Sequence, residues 1–290
     1  MNPYIANTPQ EVEDMLKTIG VKTIDDLFVD IQNHQRPRSF NIPKGKSEFE
    51  VSRNLNRLAS KNAVHLIPFI GAGYYDHYIP AAVGALASRA EFYTAYTPYQ
   101  PECAQGTLQA LYEYQSVLCT LTQMEVANAS LYDGGTALYE AMMMALRITG
   151  RKKIIMDGGV SPIYRKILQS YTVNLDIEFQ ETPVVHGQSD RGPIQGLLDK
   201  KTAAVILQNP NFFGAIDDHS DIVEKAHKQG ILVIESVYPI SLGLLKTPGE
   251  MGVDITTGEG QSLGLPLNFG GPDLGFMAAK KEFIRKMPGR

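Results

Sequence analysis

From residue 107 onward, short apolar runs alternate with stretches whose apolar side chains recur every three or four positions. Uniform apolar runs suit strands buried on both faces, and the longer period suits amphipathic helices. The pattern predicts a helix over 107–122, the segment VANASLYDGGT, and a helix ALYEAMMMALRIT. A strand KKIIMD, a helix opened by Ser161-Pro162 and a strand VNLDIEFQE follow. Then come a strand AAVILQNPN ending in a turn, a helix DIVEKAHKQG, and strands ILVIES and VDITTGEG. The last segment, LGFMAAKKEFIRK, reads as a strand and the start of a helix. Strands alternating with helices imply right-handed crossovers and a mainly parallel sheet of the α/β class. Ligands of such sheets sit beyond the carboxyl ends of the strands.

The first sixty residues read as helices. Thr8-Pro9-Gln10-Glu11 combines a capping residue, a proline at the first helical position and a capping-box glutamate. Val12, Met15, Leu16 and Ile19 follow at helical spacing, and Gly20 stops the run. Thr23 starts a second short helix. Ser47 to Glu50 forms another capping box before Val51, Leu55 and Leu58, after the polar linker RPRSFNIPKGK. Residues 1–62 therefore read either as a helical cap on the main domain or as an arm that embraces a partner subunit.

Residues 68–106 fit neither period. Half of the fourteen tyrosines lie in or just beyond this stretch: Tyr74, Tyr75, Tyr78, Tyr93, Tyr96, Tyr99 and Tyr112. Tyrosine joins a large apolar body to a hydroxyl, which suits interfaces and pockets. A loop packed over the core by its rings is the other reading. Gly71-Ala72-Gly73 is not a dinucleotide fingerprint, because Asp76 stands where the third glycine belongs.

Composition narrows the classes. With 43% apolar and 20% charged residues, the 290-residue chain has material for a sizeable core. A net charge of −4 gives no electrostatic reason to expect nucleic acid or an anionic membrane as partner. No apolar run is long enough to span a bilayer, and the N-terminus lacks the pattern of a signal peptide. Cys103 and Cys119 read as reduced core thiols of a cytoplasmic protein. The six histidines show no metal-binding spacing.

The strand ends carry the candidate chemistry. Asp133-Gly134-Gly135-Thr136 opens a helix whose free N–H groups can hold a phosphate, or it is an ordinary glycine turn. Glu235 ends ILVIE, where a carboxylate can pair with a cationic ring nitrogen or simply face solvent. Asn209 ends another strand and can be part of a turn. Ser262 and Asn268 can donate hydrogen bonds inside GEGQSLGLPLNFGGP, residues 258–272, a glycine-rich segment free to approach a ligand. That segment holds no lysine; the nearest are Lys246 and Lys280.

A phosphate cradle, then an acid late in the sheet, then a glycine-rich segment is an order that resembles pyridoxal-phosphate enzymes of the aspartate aminotransferase type. Longer stretches are more specific. TAYTPYQPECAQGTLQALYEYQSVLCTLTQMEVANASLYDGGTALYEAM, VILQNPNFFG, GEGQSLGLPLNFGGPDLGFMA and the terminal MPGR resemble the P-proteins of the glycine cleavage system. Within that family they are most similar to alpha chains (subunit 1) of the split form. PYIANTPQEVEDMLKTIGVKTIDDLF and FIGAGYYDHYIP are similar as well, so the resemblance covers essentially the whole chain.

The resemblance implies a fold-type-I pyridoxal-phosphate-transferase-like large domain over 63–290, preceded by the helical arm. It implies that a smaller C-terminal domain lies outside these residues. Gln261 falls where the catalytic partner, subunit 2, carries its cofactor lysine, and an amide cannot form an imine. No catalytic residue is therefore expected in this chain. Asp133, Gly134, Gly135, Thr136, Asn209, Glu235 and Ser262 would line a vestigial cofactor pocket. Tyr93, Tyr96, Tyr99, Gly71, Gly73, Tyr74 and Tyr75 would wall the partner's active site. Pyridoxal 5'-phosphate would be held by subunit 2, in a heterodimer or a dimer of heterodimers, and the lipoyl group of H-protein would be co-substrate. The implied activity is that of glycine dehydrogenase (aminomethyl-transferring), an oxidoreductase of glycine catabolism, with this chain inactive alone. A stand-alone pyridoxal-phosphate lyase or transferase and a pure assembly or regulatory subunit are the alternatives.

Overall fold

The computed structural model describes residues 5–37, 39, 41–67, 69, 71–73, 75–268 and 270–288. The chain divides into two compact units, 1–68 and 69–290. In the first, α1 (Pro9–Ile19) opens on the capping box expected at Thr8, whose backbone N–H donates to Glu11 Oε2 at 2.6 Å. Gly20 ends it in the left-handed region, at φ 88°. Thr23 caps a single 3-10 turn, Ile24–Phe28, rather than an α-helix. Ser47 and Glu50 cap α2 (Glu48–Ala59). Neither α1 nor α2 buries a residue, and Phe49, Leu55 and Leu58 are exposed.

The second unit begins with the short helices α3 (Ala81–Ala87) and α4 (Ala90–Tyr93), placed where the tyrosine-rich stretch had no clear period. Helix α5 (Pro101–Thr122) starts ahead of the predicted 107, on a proline suited to the first helical position, and Ala104 leaves helical geometry. After β1 (Val126–Ala127) and α6 (Gly134–Thr149) come β2 (Lys153–Asp157), α7 (Pro162–Tyr171) and β3 (Glu178–Thr182). Strand β3 begins at Glu178 and not at Val173, because Leu175 and Ile177 donate backwards in tight turns to the carbonyls of Thr172 and Leu175. A hairpin of β4 (Val184–Val185) and β5 (Gln188–Ser189) leads into α8 (Arg191–Leu197). The order closes with β6 (Thr202–Asn209), α9 (Ser220–His227), β7 (Leu232–Val237), α10 (Pro248–Met251), β8 (Ile255–Glu259) and β9 (Gly275–Ala279). A 3-10 turn, Lys281–Lys286, stands where a helix was expected.

The seven-stranded sheet runs β1-β9-β8-β7-β6-β2-β3. Pairs β2–β3, β2–β6, β6–β7 and β7–β8 are parallel, and β9 runs against both neighbours. Alternate residues of β2, β6 and β7 feed two cores. Ile154, Met156, Ile206 and Ile234 pack under Leu138 and Met142 of α6. Ile155, Val205, Leu207 and Val233 pack on the other face against Ile222 and Ala226 of α9. Burial on both faces explains the unbroken apolar runs. Cys103 is exposed and Cys119 half-buried, so neither is the core thiol that sequence suggested; both are free.

Candidate functional site

A cavity of about 600 Å³ opens beyond the carboxyl ends of the parallel strands. Its floor comes from Gln208 near the end of β6, Pro210 and Asn211 after it, Ser236 to Tyr238 at the end of β7, and Glu259 and Gln261 at the end of β8. Asp133 and Gly134 enter from the start of α6, and Ile163, Tyr164 and Ile167 from α7. Ala72, Gly73, Tyr75 and His77 close another side. Strand ends converge here because parallel crossovers place every carboxyl end on one edge.

At the start of α6, Asp133 accepts from Thr136 N–H at 2.8 Å, and Thr136 Oγ1 accepts from Asp133 N–H at 3.1 Å. The N–H of Gly134 is already engaged. It donates to Glu259 Oε2 at 2.8 Å, while Glu259 Oε1 accepts from Gln261 N–H at 3.0 Å and Leu274 N–H at 2.8 Å. Burial raises the Glu259 carboxyl above its ordinary value, against the pull of those three amides. Burial and the Glu259 charge together push Tyr114 up to about 12. The site is tight: a Cβ on Gly134 would stand 2.4 Å from Tyr164 Oη and 3.0 Å from Glu259 Cβ. Gln261 is buried, and its amide donates to the Leu265 carbonyl, bracing the glycine-rich segment.

Glu235 does not line the cavity. It is fully buried in β7, and its Oε1 meets His219 Nδ1 at 2.7 Å. Burial raises the Glu235 carboxyl, opposed by His219. Burial works against charge on His219, yet the bond to Glu235 and the charges of Glu235, Asp217 and Asp157 leave it raised. Asn209 is buried and ties a turn, accepting from Asp217 N–H at 3.2 Å and donating to its carbonyl at 2.8 Å. Gly135 is buried beneath Tyr164 and Ile167. Ser262 is buried beside Tyr238, and Asn268 lines the cavity.

Of the proposed wall residues, Gly73 and Tyr75 line the cavity, whereas Gly71, Tyr93, Tyr96 and Tyr99 do not. Tyr93 and Tyr96 stand 82% and 91% exposed. Tyr74 lies outside the described residues. Sequence reasoning passed over Glu259, His219, His77 and Tyr238. His77 Nδ1 lies 2.7 Å from the Tyr75 carbonyl, which only accepts, so Nδ1 carries a proton, and Nε2 lies 2.6 Å from Tyr238 Oη. The one signal for Glu259 was its place two residues before Gln261. Among the described residues no group of His, Cys, Asp or Glu is arranged to hold a metal, and no helix is long and apolar enough to cross a membrane.

An open, mainly parallel sheet with a cavity beyond its carboxyl ends, entered by a glycine-opened helix, is the large domain of a fold-type-I pyridoxal-phosphate protein. A sphingosine-1-phosphate lyase from Burkholderia pseudomallei shares this fold at a TM-score of 0.65 with 13% identity, over 88% of this chain and 63% of that one. Within the class, the chain belongs to the glycine cleavage system P-protein family, whose model matches residues 2–290. A crystal structure of glycine decarboxylase (P-protein) in inhibitor-bound form superposes with a TM-score of 0.91 and 42% identity, over 99% of this chain and 65% of that one. A relative from Geotalea uraniireducens, named "Probable glycine dehydrogenase (decarboxylating) subunit 1", is 58% identical over 287 residues. One of the same name from Oleidesulfovibrio alaskensis is 54% identical over 288. The chain spans 65% of the length of each of these two relatives.

The cofactor of the class can be tested against the residues present, and they do not fit it. Among the described residues no lysine or arginine lines the cavity, while Asp133, Glu259 and Asp273 do. The Gly134 N–H, one of those a phosphate at this helix start would use, donates to the Glu259 carboxylate. The acid that would meet a ring nitrogen is turned to His219 instead.

Proposed function

We propose that this chain is the noncatalytic alpha subunit of a glycine decarboxylase. It works with a second subunit that holds pyridoxal 5'-phosphate, and the assembly decarboxylates glycine and passes the aminomethyl group to the lipoyl arm of H-protein. The reading is carried by Gln261, which lines the cavity and donates its amide to the Leu265 carbonyl. By the resemblance it falls where the partner would carry its lysine. The names of the relatives, as subunit 1 chains, support a partnered role.

This chain's own contribution is shape. Exposed Tyr93, Tyr96 and Tyr99 offer an aromatic surface to a neighbour's reaction centre, and the unburied apolar faces of α1 and α2 offer an arm to grip it. One observation favours a purely assembling role as the second reading: those three tyrosines lie away from the cavity of this chain. Co-expression with subunit 2 followed by glycine–carbon dioxide exchange is the test. Exchange by the pair and none by this chain alone is expected, with no lysine of this chain labelled by borohydride in the presence of coenzyme. A labelled lysine here, or exchange by this chain alone, removes the proposal.

A further inference from the structure

We infer that Glu259 is a built-in anion that occupies the phosphate cradle of α6 and bars phosphate-bearing ligands from this subunit. The inference rests on reading the cavity as a former cofactor pocket. Its test, however, measures anion binding by this chain alone, whereas the proposed function is read from exchange by the two-chain assembly. Either can fail without the other.

The argument is geometric. A helix N-terminus attracts anions through its free N–H groups and its positive dipole end. In α6 two of those N–H groups are already taken up: Thr136 N–H goes to Asp133, and Gly134 N–H goes to Glu259. The carboxylate is not a passing contact. Amides from three separate segments converge on it, Gly134 on Oε2 and both Gln261 and Leu274 on Oε1. Backbone amides of this kind are also the donors a phosphate group takes, and here the two oxygens of a side chain accept from them.

Sterics and charge both exclude a second anion. Glu259 Cβ and Tyr164 Oη stand so close to Gly134 that even one added carbon would collide. Asp133 and Asp273 line the same cavity, and no lysine or arginine among the described residues lines it to offset them. An incoming phosphate would have to displace Glu259 from three amides and then remain beside its charge. Like charges about 4 Å apart repel strongly enough near a protein surface to lower binding on the order of a hundredfold or more.

The experiment compares the wild-type chain with Glu259→Ala and Glu259→Ser. Inorganic phosphate is the probe, against chloride at equal ionic strength, read by thermal melting and by calorimetric titration. The wild type should melt at the same temperature in both salts. Both variants should be stabilised by phosphate and bind it about a hundredfold more tightly than the wild type does. Phosphate bound elsewhere on the surface would act on all three proteins equally and so cancels. A variant that folds only in phosphate also supports the inference, because the anion has then replaced the carboxylate. A folded variant indifferent to phosphate overturns it. So does a wild type that phosphate stabilises as much as it does the variants, an outcome readable whatever the variants do.

Discussion

Glu235 and His219 meet inside the large unit, Oε1 to Nδ1 at 2.7 Å, with the acid 0% and the imidazole 1% exposed. The carboxyl that sequence read as a ring-nitrogen partner or a solvent-facing acid is spent instead on a neighbour one crossover away. Both groups have folded-state pKa values above their ordinary ones, Glu235 chiefly through burial and His219 through its acidic neighbours despite burial. The folded chain thus holds protons that the unfolded chain has released. Stability tied to His219 is complete below about pH 6.5 and is lost as pH rises through its folded value. The Glu235 shift has the same sign, beginning near pH 4.5. Urea melts across this range should show the wild type losing stability with rising pH relative to a Glu235→Leu/His219→Leu double variant. Glu235→Leu alone should cost roughly 3–5 kcal/mol, and the double variant much less than the sum of the singles. A pH-independent difference between wild type and double variant contradicts the assignment.

Gln261→Lys places an amine at the cavity wall without clearing the cradle. The amine can condense with an aldehyde and release water, but the phosphate of pyridoxal phosphate would still meet Glu259 on Gly134. Borohydride treatment of Gln261→Lys with the coenzyme should leave position 261 unlabelled. The Glu259→Ala/Gln261→Lys pair should be labelled there, as peptide mass spectrometry would show. Equal labelling of single and double variants would mean that Glu259 is no barrier. Loss of the Gln261–Leu265 hydrogen bond should cost both variants about 1 kcal/mol of stability.

What the sequence could reveal follows from distance along the chain. Strands β2, β6 and β7 were legible because burial on both faces leaves an unbroken apolar run. The helix caps at Thr8 and Ser47 were legible because donor and acceptor lie three residues apart. Val173, Leu175 and Ile177 alternate as a strand would, yet they turn, because alternation does not report where the backbone hydrogen bonds go. The site was less legible. Glu259 meets Gly134 across 125 positions, and only the folded sheet edge brings them together. Glu235 was visible as a strand-end acid, but the choice between a ligand and His219 depends on which side of β7 α9 packs.

Glycine at 249 and glycine at 196 should respond to alanine with opposite signs. A Cβ on Gly249 would stand 1.9 Å from the Gln123 carbonyl oxygen, a backbone atom that cannot swing aside. Gly249→Ala should destabilise by about 3 kcal/mol or more. Gly196 lies in α8 with open space around it and no left-handed φ. There alanine removes unfolded-state freedom and favours the helix, so Gly196→Ala should stabilise by roughly 0.5–1 kcal/mol. Denaturant midpoints at constant slope separate the two, and a destabilised Gly196→Ala would contradict the packing described for α8.

Tyr96 is 91% exposed, so its ring contributes little to this chain's own core. Tyr96→Ala should leave the melting of the isolated chain within about 0.5 kcal/mol of wild type. Surface aromatics that anchor an interface or wall a neighbour's pocket are worth far more once a partner covers them. Reconstituted with subunit 2, Tyr96→Ala should therefore lower glycine–carbon dioxide exchange by about tenfold or more. Size-exclusion chromatography of the same sample separates the two roles of the exposed tyrosines. Exchange lost from an intact heterodimer assigns Tyr96 to the wall of the reaction centre. Exchange lost together with the heterodimer assigns it to assembly. Unchanged exchange from an intact assembly would remove Tyr96 from both, and with it the argument that this aromatic surface serves the partner.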